Sequence, residues 1–306
     1  MARNYFRILA ASAVLLGAAA PSQSLAAVVG YSWFVQGDSS VIAQYDFVGD
    51  SDAERRNDKS PSANHLVEKK VGSPAISTAY GAPGFDSSST AVFPGYNSTS
   101  NAWGFFTSQQ IALPNPVSFE AIISPGGTSN GYMAGIYNGT LNRRAYFVAQ
   151  TSETALNAIA GTSWNNRAAL ASPFALDDWY YFAVTMSHDA DANQTTIDTW
   201  RANLTLGETS LTKVAQSTVP GSYLITDYLG IGLLNAGGNP SEAWKGVIDE
   251  VTLYSGLKDT AFFQANLDRI LDPHFVPEPS TSLMAIMAML GWLTCSARRG
   301  RKRGER

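Results

Sequence analysis

Glycoside cleavage needs two carboxylates flanking one bond, and this chain offers Asp249-Glu250 and Asp177-Asp178 as its adjacent acidic pairs. On a strand, neighbouring side chains point to opposite faces, so regular period-two geometry keeps either pair from meeting across one substrate. No Glu-x-Asp-x-x-Glu occurs. The three histidines, His65, His188 and His274, are scattered and belong to no His-Glu-x-x-His metal motif. The residues therefore read as those of a non-enzyme.

Binding chemistry is better represented. Trp103, Trp164 and Trp244 lie beside polar loop residues, and an exposed indole is a platform for the apolar face of a pyranose. Trp179 and Trp200 sit within strand-like runs and are expected in the core. Arg143-Arg144 opens a strand as a solvated pair, with an acidic sugar as its alternative partner. Asp189-Ala-Asp-Ala-Asn193 begins like a calcium loop, but the Gly and terminal Glu of that motif are absent. A solvated hairpin turn is expected there.

These residues must be positioned by strands. Short runs rich in aromatic and β-branched residues recur between Gly, Ser, Asn and Thr clusters. They are Val41–Phe47, Ser118–Ile123, Tyr132–Tyr137, Ala145–Ala149, Trp179–Thr185, Thr195–Trp200, Tyr228–Leu234 and Gly246–Tyr254. Such spacing predicts an all-β antiparallel sandwich. One helix is expected at 259–271, N-capped by Asp259, with Phe262, Phe263, Leu267, Ile270 and Leu271 on one side. It should cover one end of the sandwich. With no internal repeat and no Pro-rich linker before Pro273, residues 27–272 read as a single domain.

Composition narrows the partners. The chain has 21 Lys+Arg against 25 Asp+Glu, and residues 27–277 alone carry a net charge of about −10. That acidic balance excludes nucleic acid and anionic lipid, which require a basic footprint, and suits calcium or neutral sugars. The single cysteine, Cys295, leaves the domain without disulfides or thiolate metal sites.

Several of these runs, in this order, resemble the laminin-G-like, concanavalin-A-like jelly-roll family. Tyr45-Asp46-Phe47 with Asp58-Lys-Ser-Pro-Ser-Ala-Asn64 is similar to its opening strand and Asp-x-Ser loop. Ser118-Phe-Glu-Ala-Ile, Trp179-Tyr-Tyr-Phe-Ala-Val-Thr and Gly246-Val-Ile-Asp249-Glu250-Val-Thr-Leu-Tyr254 are similar to later strands. The resemblance spans about Val41 to Leu271. It departs from the family where Gly is missing from the Asp58 loop and where Asn203 precedes Leu. It implies a jelly-roll fold and one structural calcium ion held by Asp58 and Asp249, since calcium favours carboxylate and carbonyl oxygens. Without a cation, Asp58 would cap a turn.

The two ends give the destination. Arg3 and Arg7 precede an apolar run from Ile8 to Ala20, and Ser24-Leu25-Ala26 supplies small residues for cleavage after Ala26. Residues 1–26 thus read as a signal peptide. At the other end Pro277-Glu278-Pro279 precedes an apolar segment at about 281–297 and the membrane-stop cluster Arg298, Arg299, Arg301. That order, over residues 273–306, resembles the PEP-CTERM sorting signal of Gram-negative bacteria. It implies an exosortase as processing partner after signal peptidase, an inner-membrane precursor, and a final place at the cell surface or outside. The expectation is an exported, non-catalytic protein binding carbohydrate or another matrix component. A structural or adhesive role through protein contacts is the alternative, and a glucanase-like hydrolase stands third.

Overall fold

The computed structural model describes residues 37–47, 54, 56–71, 77–79, 90–94, 102–127, 131–152, 155–163, 165–169, 174–233 and 243–271. In chain order the strands are β1 Val41–Tyr45, β2 Leu66–Val71, β3 Ser77–Ala79, β4 Thr90–Pro94, β5 Ala102–Thr107, β6 Ile111–Ala112, β7 Val117–Pro125, β8 Gly131–Asn138 and β9 Arg143–Ser152. They continue as β10 Ala155–Gly161, β11 Arg167–Ala169, β12 Tyr180–Asp189, β13 Gln194–Asn203, β14 Thr212–Pro220, β15 Thr226–Asp227, β16 Gly230–Ile231 and β17 Lys245–Ser255. Helix α1, Thr260–Leu271, follows.

Two antiparallel sheets result. One has eight strands in the order β14-β13-β12-β7-β17-β4-β3, with β1 also paired to β17. The other has seven, ordered β11-β10-β9-β8-β16-β5-β2. Alternating residues from both interdigitate between them, as sandwich packing requires. Phe119 of β7 lies flat on Phe147 of β9, ring centres 4.8 Å apart. Phe182, Val184, Met133 and Ile136 are buried in the same cluster. The antiparallel sandwich is thus as the sequence predicts, and each of the eight expected runs falls on a strand, while β2–β6, β10, β11, β14 and β15 fall outside those runs.

Four local expectations are met or altered. Residues 190–193 do form the hairpin turn between β12 and β13, with Asp189 Oδ1 accepting the Asp191 and Ala192 N–H groups. Asp259 does cap α1, accepting the Phe262 N–H at 2.8 Å. The helix, however, does not close an end of the sandwich. Phe263, Leu267 and Ile270 pack with Ile122, Tyr181, Ala183 and Trp200 on the outer face of the eight-stranded sheet. The run expected at Tyr228–Leu234 is also shorter, since only Gly230 and Ile231 pair as β16. Gly232 turns the chain away with φ +73°, and a Cβ there would stand 2.0 Å from the Phe93 ring.

Candidate functional site

The Asp58 loop is built around one carboxylate. Asp58 Oδ1 accepts the N–H groups of Gln44 and Ser60 at 2.9 and 2.8 Å, and Oδ2 accepts that of Asn64 at 2.8 Å. The hydroxyls of Ser60 and Ser62 stand 2.8 and 3.0 Å from Oδ2. Five donors therefore surround a group with about four lone-pair sites. Asn64 completes the brace by bonding Gln109 through both ends of its amide, while the Tyr45 hydroxyl donates to the Asn64 carbonyl. Asp58 thus organises the turn, and a cation there would have to displace the serine hydroxyls.

Asp249 shows where period-two reasoning fails. Ile248 pairs with Ile123 and Glu250 with Ile122, so Asp249 is the extra residue of a β-bulge. Ile248 and Val251 both enter the core, and neither residue between them does. Adjacency therefore does not separate Asp249 and Glu250 onto opposite faces, contrary to expectation. Burial opposes a catalytic role instead, since Glu250 is 1% exposed and Asp249 is also buried. Desolvation pushes the Glu250 carboxyl well above its usual value, helped by Asp46, Asp249 and Glu120 and opposed by Lys59. Among the described residues, no three His, Cys, Asp or Glu side chains group to hold a metal ion.

Glu120, on the same outer face, is satisfied by the helix and its neighbours. The hydroxyls of Tyr181 and Tyr254 donate to its two oxygens, and Asn266 Nδ2 of α1 reaches both at 3.1 Å. Burial and the Glu120 charge raise both tyrosines well above their ordinary values. This network satisfies Glu120, whereas both Glu250 oxygens, the Gln44 amide, Thr252 Oγ1 and Trp200 Nε1 are buried without a partner.

The seven-stranded sheet presents a different outer face. On β9, Ala145 and Phe147 point inward to the core, so Arg144 and Tyr146 point outward. Tyr132, Tyr146, Ala149 and Ile159 form a separate buried cluster there, with Tyr137 packed against it and partly exposed. The Tyr132 and Tyr146 rings are 4.5 Å apart. Arg144 stands opposite Tyr137 in register, its Cζ 5.5 Å from the ring centre. Arg144 Nη2 donates to Asn142 Oδ1 at 3.0 Å, while Nε is buried with no acceptor. Gln150 donates to the Gly127 carbonyl, and its own Oε1 is buried and unbonded. Arg143 is drawn aside to the Leu224 carbonyl at 3.1 Å. The expectation of a solvated arginine pair therefore fails for Arg144.

Of the predicted tryptophans, Trp244 is fully buried and cannot serve as a sugar platform. It is in phase with Gly246 and Ile248, which turns the ring into the core; its backbone N–H bonds the Gly232 carbonyl at 2.9 Å, and its indole Nε1 is buried without a partner. Trp103 lies on β5 opposite Lys70, and its side chain falls outside the described residues, as does Trp164. Trp200 is buried as expected, although beneath α1 rather than between the sheets. Residues 1–36 and 272–306 also lie outside the described residues, including Pro277, Glu278, Pro279, Arg298, Arg299 and Arg301. Among the described residues no helix is long and apolar enough to cross a membrane.

The string Gly127-Thr128-Ser129-Asn130-Gly131 matches a nucleophile elbow by letter only. It joins β7 to β8, whereas the elbow needs a strand followed by a helix. From the sequence alone Tyr132, Tyr137 and Tyr146 read only as strand formers. The signal that they share a face was the phase of the two runs, Tyr132–Tyr137 and Arg144–Tyr146, once paired.

No family model and no curated protein matches the sequence. Among solved structures, similarity is found to domain 4 of an extracellular arabinanase of Geobacillus stearothermophilus, in complex with arabinotriose. The identity is 12%, over 76% of this chain and 98% of that one, with a TM-score of 0.44. A heptameric pentraxin of Limulus polyphemus matches at 12% identity over 59% of this chain and 80% of that one, TM-score 0.38. Mouse laminin α1 domains LG4-5 match at 10% identity over 54% and 40%, TM-score 0.37. None of these likenesses bears on the site.

Proposed function

We propose that the chain is an exported, non-catalytic β-sandwich of laminin-G-like, jelly-roll type that binds glycan on the outer face of its seven-stranded sheet. The observation that carries this reading is Tyr137, partly exposed beside Arg144 and packed on the buried Tyr132 and Tyr146 rings. A ring over which a pyranose can lie, flanked by a hydrogen-bonding side chain, is the chemistry of sugar recognition. Burial of Glu120, Asp249 and Glu250 supports the absence of catalysis. A glycan array probed with the full-length chain tests the reading. Retention of a defined sugar class, lost in Tyr137→Ala, supports it, and a flat array refutes it.

Export rests on the sequence of the ends, with signal peptidase and an exosortase as processing partners and the cell surface or the extracellular space as destination. Intact mass of the protein from its native host checks both cleavages at once, after Ala26 and beside Pro277-Glu278-Pro279. Calcium at Asp58 and Asp249 has its own test, a rise in Tm on titration with the ion. A second reading, adhesion through protein contacts, is favoured by β14, a nine-residue strand at a sheet edge. Self-association by sedimentation beside a flat glycan array would select it.

A further inference from the structure

Arg144 is a cation placed where a cation is costly. It is 8% exposed, its Nε has no acceptor, and among the described residues its one side-chain hydrogen bond is to a neutral amide, Asn142. Burying a charge without a counter-ion is unfavourable unless something else completes it. The ion pairs among the described residues use Lys59, Lys213 and Lys258, and none reaches Arg144. Nη2 is taken by Asn142 and Nε is enclosed, which leaves Nη1 as the nitrogen without a bond among the described residues.

The surroundings indicate what should meet it. Tyr137 stands directly across the ladder and stacks under the guanidinium. Arg167, exposed on β11, adds a second positive charge to the same sheet face beside Ile159. A guanidinium edge over a tyrosine ring matches a planar carboxylate carried by a sugar ring, the anion bonding Arg144 and the ring lying on Tyr137.

Resting on the glycan-binding reading above, we infer that the ligand is an acidic glycan whose uronic-acid carboxylate is bound by Arg144. The chain's overall negative charge repels a polyanion at long range, so this recognition is local and a short oligosaccharide is the fitting probe.

The experiment is calorimetric titration of the full-length chain with a short oligogalacturonate and with the same oligosaccharide after its carboxyl groups are reduced to alcohols. The inference expects the acid to bind at least about tenfold more tightly than the reduced sugar, the range of hydrogen bonds to a charged group. Arg144→Gln should erase that preference without lowering Tm appreciably, and Arg144→Lys should retain part of it. Equal binding of both sugars, unchanged in Arg144→Gln, overturns the carboxylate inference and leaves glycan binding standing. No binding of either sugar, with a flat glycan array, overturns both. Should Arg144→Gln fail to fold, the acid-against-alcohol comparison on the unaltered chain still decides the matter.

Discussion

A carboxylate and a guanidinium buried on opposite outer faces of the sandwich are met in opposite ways. On the eight-stranded sheet a buried carboxylate, Glu120, is met by two hydroxyls and an amide, and α1 lies over it. On the seven-stranded sheet a buried guanidinium, Arg144, is met by one amide and an aromatic ring. Glu120 completes its hydrogen bonds from within the chain, although Gln44, Glu250, Thr252 and the Trp200 indole on the same face keep buried polar atoms without a partner, and Arg144 leaves a donor open. With α1 packed over it, the Glu120 face should carry more of the stability, and the Arg144 face the recognition.

The largest effect that would break this contrast is on the Glu120 face. Phe263 is fully buried beside Trp200, ring centres 5.6 Å apart, and Phe263→Ala should cost about 3–5 kcal/mol in denaturant unfolding. Glu120→Gln keeps the volume but removes the charge that both tyrosine hydroxyls address, and should cost about 2 kcal/mol. Asp259→Ala removes the helix cap and should cost about 1 kcal/mol by the same measurement. Tyr137→Ala on the Arg144 face should cost less than any of these while abolishing glycan binding. If Tyr137→Ala destabilised the chain as much as Glu120→Gln, the division of labour would be wrong.

Glu250 sharpens the contrast through pH. Its folded carboxyl titrates well above the ordinary glutamate value, with burial the main cause. Its neutral form fits the folded chain, so its contribution to stability is complete below that value. The contribution is lost as pH rises from there through the folded value. Glu250→Gln should flatten this decline and raise stability at neutral and alkaline pH, read as Tm against pH.

How much of this was legible in the sequence differs between the faces. The strands announced themselves because aromatic and β-branched runs alternate between turn residues, and Asp259 marked the helix start. Strand β14 did not, because an edge strand facing water on one side carries Thr, Lys, Gln and Ser. The bulge at Asp249 was invisible, since one extra residue leaves no compositional trace yet shifts the phase of every side chain after it. Trp244 was misread from its polar neighbours, although its spacing from Ile248 held the correct phase. Arg144 looked like a solvated charge because nothing in a linear run shows which residues come to lie around it.

The position of α1 also bears on how the protein carries load. Its last residue, Leu271, lies on the helix-covered side, across the sandwich from Tyr137 and Arg144. Tension entering there would lift the helix from its C-terminal end, meeting Ile270, then Leu267 and Asn266, then Phe263, one contact at a time. Strand β17 is bonded along both edges, to β7 on one and to β1 and β4 on the other, and would resist the same pull in shear. The helix is thus a yielding element in series with a stiff one, so a tug on the chain's end can be absorbed before the sheet that bears the tyrosines is disturbed.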